Sequence, residues 1–377
     1  MKRIVIVGCG VVGAAIAYEL SLCPGLHVTA IDQATPAQGS TAAALGVAMA
    51  VISHKVKGRN WRLRERSLRR YPTLVAELET LTGQTVQLNT QGILSLCFDA
   101  EDLPRWRSLQ QIRQRQGYSL ELWEPEQVRD RCPHLNPEEV VAGIFSPQDF
   151  QINPTALTEA LVAGAQIQGA EFYFNQPVVG FEVEASTGEN RPCTAVRTAT
   201  QTVEADAIVL SAGLGTLPLT QTLGQPTLLG PVLGQALRIH LDSPLGTPDF
   251  QPVVNGHDIH LVPLGGGDYW VGATVEFPPE TSLEAALAMS PEAERLEEVR
   301  AGAIAYCPAL AEGTITQRWF GLRPRPQGQA APVIQPVAGY SNVWLATGHY
   351  RNGVLLAPAT ALAVKDSLLE CGFGDRR

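Results

Sequence analysis

The chain has 377 residues, of which 45% are apolar and 17% charged, and its formal net charge is -9. This is the composition of a folded chain long enough for two domains, not of a disordered one. The acidic balance argues against a nucleic-acid binder, and the longest apolar stretch, residues 41–52, is too short and too rich in small residues to span a membrane.

The first element, "RIVIVG" (residues 3–8), reads as a buried parallel strand from its β-branched run. "VVGAAIAYELS" reads as a helix and "HVTAID" (27–32) as a second strand, which makes a βαβ unit. A loop of small residues follows, then a long helix ending near "YPTLVAELETLTG". Strand-like "QGILSLCF" and an amphipathic arm around "LPRWRSLQQIRQRQ" come next, then a helix in "INPTALTEALVAGAQIQGA" with Asn153 or Thr155 as its cap. "EFYFNQPVVGFEVE" and "EADAIVLSAGLG" read as strands returning to the first sheet. From about residue 231 to 274 the pattern changes to long strands, with a hairpin around Gly265, Gly266 and Gly267, and a helix is expected over 282–308. "VWLATG" and a closing helix from about Val354 end the chain. Because the two patterns alternate, the fold class is α/β with two interleaved domains. The expected division is 1–86, 147–232 and 316–377 for a Rossmann-like cofactor domain, and 87–146 and 233–315 for a substrate domain on an antiparallel sheet.

Gly8, Gly10 and Gly13 stand in GxGxxG spacing between a strand and a helix, and Asp32 ends the second strand. That context is the fingerprint of a dinucleotide site. Gly8 allows the tight turn, Gly10 lets a pyrophosphate approach the backbone, and Gly13 lets helix and strand pack closely. Val12 lies in the first turn of the helix, whose N-terminus faces the phosphates. Asp32, with Gln33 beside it, would accept from the ribose hydroxyls. Further pieces point to FAD rather than a nicotinamide. Ser40, Thr41, Ala42 and Gly46 form a small-residue loop suited to the ribityl and pyrophosphate. Val178 would bond the adenine through its backbone, and Ala212 and Gly213 form a second glycine turn. The stretch "GHYRNGVL" supplies Gly348, Tyr350, Arg351, Asn352, Gly353, Val354 and Leu355 for the flavin end. A helix starting there would stabilise the charge that flavin gains.

These pieces, with "PVLGQAL", "LVPLGGGDYWVGATVE", "YCPALAEGTITQRWFGLRP" and "GHYRNGVLLAPATA", cover nearly the whole chain and resemble the D-amino acid oxidase superfamily. The closest similarity is to its glycine oxidase branch, associated with thiamine biosynthesis. The resemblance implies oxidation of an amine beside a carboxylate, with hydride passing to FAD and dioxygen or another acceptor reoxidising it. The imine then hydrolyses to a 2-oxo acid.

An arginine is the natural handle for the substrate carboxylate, because its fork binds bidentately. Spacing alone does not choose between Arg323 and Arg325, but the resemblance favours Arg323. It places Arg351 beside the same pocket and His260 where glycine oxidases have a tyrosine. Val47 and Val275 fall where some have methionines. The seven cysteines are scattered, form no CxxC pair and miss the flavin-tethering position of related enzymes, so FAD is expected to be non-covalent. Reduced thiols and the lack of a signal peptide suggest a cytoplasmic protein. No metal is expected. The run 55–70 holds eight Lys or Arg and one Glu. It reads first as a solvated helix face and second as a dock for an acidic partner, an anionic membrane surface or an electron acceptor. The other expected partner is a small amino-acid substrate, and a homo-oligomer is compatible with the sequence.

Overall fold

In the computed structural model, residues 1–136, 138–185, 190–278, 289 and 292–373 are described. The β-branched run Lys2–Val7 forms the central strand of a six-stranded sheet and is buried from Ile4 onward. The sheet order is Val333–Pro336, Val343–Thr347, Ala207–Leu210, Lys2–Val7, Leu26–Ile31, Glu171–Tyr173. All neighbours are parallel except the first pair. Parallel pairing sets Val7 beside Leu210 and Leu210 beside Leu345, so the three strands end at the same edge, the third running on to Thr347. Each is followed at once by a glycine turn, at Gly8, Ser211–Gly213 and Gly348. This is where an open α/β sheet holds its ligand.

One face of this sheet carries the helices Val11–Ser21, Gly58–Thr82, Pro154–Ile167 and Gly353–Glu370, which share a core built on Ile16, Leu20, Leu74, Leu78, Leu161 and Val364. Asn153 caps Pro154–Ile167, accepting from the N–H groups of Thr155 and Ala156 at 3.1 and 3.1 Å. Glu19, nearly buried, joins three of these helices by pairing with Arg70 at 2.8 Å and Lys365 at 3.1 Å.

The second large sheet has eight strands: Thr314–Pro326, Leu229–His240, Asp268–Gly272, Ile259–Gly265, Val253–Gly256, Ile93–Cys97, Ala142–Ser146 and Glu121–Trp123. Its neighbours are antiparallel except Val253–Gly256 on Ile93–Cys97. The far face packs on helix Ala293–Tyr306, with Leu237, Leu261 and Val271 against Leu296, Val299 and Tyr306. The near face packs Ile93, Val253, Val262 and Ala236 against Leu45 of the small-residue loop. The glycine hairpin is present, with Gly265, Gly266 and Gly267 at φ of 87°, 62° and 83°.

Two expectations change. Only Glu171–Tyr173 and Ala207–Leu210 return to the first sheet. Val178–Val183 pairs instead with Cys193–Thr198, which pairs with Thr202–Glu204, in a separate three-stranded sheet. Only Gly180 of this strand is buried, whereas a strand inside the parallel sheet is buried on both faces. The helix expected over 282–308 is seen as Ala293–Tyr306, and most of its first part lies outside the described residues. Among the described residues no helix is long and apolar enough to cross a membrane.

Candidate functional site

The end of the site at the first strand turn is built by glycines whose missing side chains leave no alternative. A Cβ on Gly8 would lie 2.5 Å from Ser211 O, and one on Gly13 would lie 1.9 Å from Gly8 O. Strand, turn and helix therefore meet without side chains between them. Gly10, at the N-cap of the first helix, has one close neighbour, Thr41 Oγ1 at 3.0 Å, and Gly213 has none within 4 Å. Those two backbones are open to a ligand. The Val11 N–H donates to Thr41 Oγ1 at 3.0 Å, while the helix has no side-chain cap, so its next N–H groups remain free. Asp32 accepts from the Cys9 N–H at 2.6 Å and the Ala34 N–H at 2.8 Å. Each carboxylate oxygen keeps a lone pair for a hydroxyl. Gln33, Ser40 and Ala42 are exposed around this end, and Ser40 Oγ donates to Leu322 O at 2.5 Å. Gly46 is locked by Ile152 O, 1.7 Å from where its Cβ would stand. Val178 opens the separate sheet and is partly buried.

At the other end, Gly348 at φ 67° turns the chain under Pro326, and Tyr350 adopts φ 54°, an uncommon conformation for a bulky residue. Gly353, Val354 and Leu355 are the first residues of the closing helix, so their N–H groups have no helical acceptor. Pro358 sits inside this helix. It has no N–H for the carbonyl of Val354, four residues back. The Tyr71 hydroxyl donates to that carbonyl instead, and one turn earlier Ser67 Oγ accepts from the Ala359 N–H at 3.2 Å. The long helix thus repairs the proline kink and aims the closing helix. Arg64 adds a second tie, donating to Met49 O at 2.7 Å and to Asn352 Oδ1 at 2.9 Å.

The near face of the second sheet supplies the third wall. Arg323 lies across Gly234, where a Cβ would stand 2.1 Å from Nη2. Its Nη1 donates to Leu233 O and Thr274 O, both at 3.0 Å, while Nη2 and Nε have no partner among the described residues. Burial and repulsion from Arg351 push its pKa down to about 10, with Tyr350 and Glu276 opposing. Arg325 is exposed and sits over the Phe277 ring, 5.2 Å from its centroid. The structure therefore separates the two arginines that spacing did not. His260 is pushed down to about 4 by burial, then by Arg351, with Asp258 opposing and Arg323 adding to the shift. Arg351 thus acts on both Arg323 and His260, and the described residues supply no carboxylate ion pair to either arginine.

A sequence model of the family described as DAO, FAD dependent oxidoreductase, matches residues 3–367. The chain belongs to this family. It is 33% identical to a bifunctional protein ThiO/ThiG of Trichormus variabilis over 98% of this chain and 53% of that protein. It thus spans about half the length of that relative. It is 27% identical to a glycine oxidase of Bacillus licheniformis over 97% of this chain and 92% of that one. Among solved structures, a glycine oxidase from Geobacillus kaustophilus superposes with a TM-score of 0.85 at 24% identity, covering 100% of this chain and 99% of that one. FAD fits the three walls. The open backbones at Gly10 and Gly213, the free helix starts at Val12 and Gly353, and the enclosed, unpaired Ser211 Oγ all lie along the ends of the same three strands.

In this member of the DAO family the basic residues of the run 55–70 are mostly exposed, with several of its arginines tied to partners within the chain. Arg59 donates to Pro332 O at 2.8 Å, Arg64 holds Met49 and Asn352, and Arg66, Arg69 and Arg70 pair with Asp366, Glu65 and Glu19. Lys55, Lys57, Arg59, Arg62 and Arg69 are exposed. The solvated helix face is seen at Arg59, Arg62 and Arg69, while Arg64, 8% exposed, lies off that face. Val47 packs beside Leu45 on the near face, while Val275 borders a separate cavity of about 350 Å³ with Phe277 and Met289. Sequence reasoning missed the clamp on residues 49–55, the wall next to the site. Buried Asp149 accepts from the N–H groups of Ala50, Val51 and Ile52 at 2.7, 2.8 and 2.8 Å. Fully buried Arg113 donates to Val51 O and Ser53 O at 2.6 and 2.6 Å, and its guanidinium lies 3.8 Å from the Trp61 ring centre. In the long helix the buried positions Trp61, Arg64, Leu68, Tyr71, Val75 and Leu78 recur every three or four residues. Arg64 standing in an apolar slot was the available signal.

Proposed function

We propose that this chain oxidises the amine of glycine or a similarly small amino acid, giving an imine that hydrolyses to a 2-oxo acid, with dioxygen reduced to hydrogen peroxide. The observation that carries the reading is Arg323, a half-buried guanidinium with one nitrogen anchored on two carbonyls and two nitrogens unpartnered beside the flavin-end loop. A planar fork held in that way binds a carboxylate bidentately and fixes its orientation as well as its charge. FAD, when bound, accepts the hydride from the substrate's α carbon. The protein's share is placement. Arg323 grips the carboxylate, Arg351 adds positive charge at the mouth, and Gly10, Thr41, Asp32 and Gly213 hold the cofactor's far end. The start of the closing helix favours negative charge at the flavin end. The relatives named glycine oxidase and ThiO/ThiG support this substrate class.

A dehydrogenase passing electrons to a quinone or a protein would use the basic run as a dock. That motive weakens, because Arg59, Arg64, Arg66, Arg69 and Arg70 are engaged within the chain. The test is anaerobic bleaching of the flavin by glycine, sarcosine, proline and D-alanine, followed by readmission of air with peroxide and a dye acceptor read in parallel. Bleaching by one of them, with peroxide formed on reoxidation and turnover lost in Arg323→Ala, is the expected result. No bleaching by any of a broad amino-acid panel sinks the proposal.

A further inference from the structure

The hairpin that carries His260 turns on two residues with positive φ, His257 at 53° and Asp258 at 62°, which makes a type I′ turn. Next to the turn Gly256 pairs with Ile259, and one step further Asn255 pairs with His260. In a two-residue hairpin that second pair is the one without mutual backbone hydrogen bonds, and its side chains stand closest. Both point toward the near face. Gly256, one residue away, faces the far helix, where a Cβ would meet Tyr306 Cδ1 at 2.5 Å. Asn255 Nδ2 donates to Ser95 Oγ at 3.1 Å, and Asn255 itself is 9% exposed. Asn255 Oδ1 and His260 Nδ1 are both enclosed and both without a partner. Two such orphans on facing side chains of one hairpin call for a common explanation.

We propose that Asn255 is a positioning residue for His260: its Oδ1 takes a hydrogen bond from the Nδ1–H, which leaves Nε2 as a lone pair toward the substrate's amino group. The pairing follows from what each atom can do. An amide oxygen only accepts, whereas an imidazole nitrogen can donate, so a small side-chain rotation satisfies both. The tautomer then has one outcome at Nε2, which is not among the enclosed unpaired atoms. A lone pair there disfavours a carboxylate and accepts from an N–H. The carboxylate is left to Arg323 and Arg351, which only donate. This differs from the tyrosine hydroxyl that the resemblance places at the position, and it rests on the proposed amine oxidation for its substrate. The charged groups facing His260 are Arg351 from the flavin-end loop, Arg323 from strand Thr314–Pro326 and Asp258 from the turn. The two arginines favour the neutral imidazole that the arrangement needs.

The test uses the FAD-loaded protein with ¹⁵N-labelled histidine, read by long-range proton–nitrogen NMR, with the His260 signals identified by their loss in His260→Asn. The expected spectrum shows His260 as the Nδ1–H tautomer at neutral pH, shifting toward Nε2–H in Asn255→Ala. In Asn255→Asp the added carboxylate should raise the His260 titration by about one unit or more. Where amine turnover is measured, the acid limb of kcat/KM should move up with it, while acetate affinity at high pH stays unchanged. His260 found as Nε2–H in the unaltered protein, which is what a reversed Asn255 amide would produce, overturns the proposal. So does a titration unmoved by Asn255→Asp. Both readouts stand apart from turnover, so a protein that oxidises no amine yet shows Nδ1–H refutes the function and leaves the positioning role supported.

Discussion

Gly234→Ala adds one methyl group, and the structure says where it goes. All three heavy atoms nearest the new Cβ belong to Arg323: Nη2 at 2.1 Å, Cζ at 2.4 Å and Nη1 at 2.5 Å. The guanidinium must withdraw by roughly 1 Å to regain ordinary contact, and its bonds to Leu233 O and Thr274 O do not survive such a shift unchanged. The backbone has no objection, because Gly234 lies in strand Leu229–His240 and has no positive φ, so alanine fits there. The loss should therefore appear in substrate handling and not in folding. A displaced charge-assisted contact is worth about 1.5–3 kcal/mol, or about 10- to 150-fold. A misplacement of about 1 Å at a reacting centre costs on the order of 100-fold. The expected result is a fall of about 100-fold in kcat/KM for the amine substrate and a loss of at least about 10-fold in acetate affinity, with FAD affinity and melting temperature retained. Flavin bleaching under stopped flow gives the first, and the flavin spectrum titrated with acetate gives the second. The decisive control is the same change in an Arg323→Ala background, where the methyl has nothing left to displace and should add no further effect. Retained acetate affinity in Gly234→Ala, or a loss that persists without Arg323, would refute the reasoning.

The repaired proline kink predicts a coupling between residues far apart in sequence. Tyr71→Phe leaves the Val354 carbonyl enclosed without a donor, at about 1–3 kcal/mol, but in a Pro358→Ala background the restored N–H serves that carbonyl and most of the cost should vanish. Denaturant unfolding at fixed excess FAD measures the cycle, and strictly additive changes would argue against it. His349, buried with Nε2 2.9 Å from Thr360 Oγ1, is pushed down to about 3, chiefly by burial and then by Arg59. An unfolded histidine titrates near 6.5, so the folded state refuses a proton that the unfolded chain takes up. The stability tied to neutral His349 is complete above about pH 6.5 and drains away at about 1.4 kcal/mol per unit as pH falls toward 3. His349→Gln should remove one proton's worth of that slope, and an unchanged slope between about pH 6 and 4 would contradict the assignment.

What was legible in the sequence was whatever is carried by short-range pattern. The strand Lys2–Val7 and the turn at Gly8 are adjacent in the chain, and Asn153 caps a helix that begins at the next residue, so local rules reach them. The three glycine-bearing ends are also legible one by one. Their convergence is not, because it depends on Val7, Leu210 and Leu345 being neighbours in a parallel sheet. The same limit explains Arg64. In a run of arginines it looks like surface charge, and only its helical phase with Trp61, Leu68 and Tyr71 marks it as inward. Its partners, Met49 O and Asn352 Oδ1, come from two loops that the sequence does not pair.

That pairing bears on how the site is held. In residues 49–55 the N–H groups of Ala50, Val51 and Ile52 go to Asp149, the carbonyls of Val51 and Ser53 to Arg113 and that of Met49 to Arg64, so much of this loop's backbone polarity is met by three buried side chains and not by a sheet. A loop fixed in this way keeps an open backbone face without fraying. Arg64 extends the clamp to Asn352, the residue before the closing helix, and Tyr71 and Ser67 on the same helix fix that helix past its kink. The long helix Gly58–Thr82 thus sets both the pocket wall and the flavin-end turn. Of its basic residues, Arg59 and Arg64 bind backbone carbonyls inside the molecule, and Arg66, Arg69 and Arg70 pair with carboxylates of the same chain.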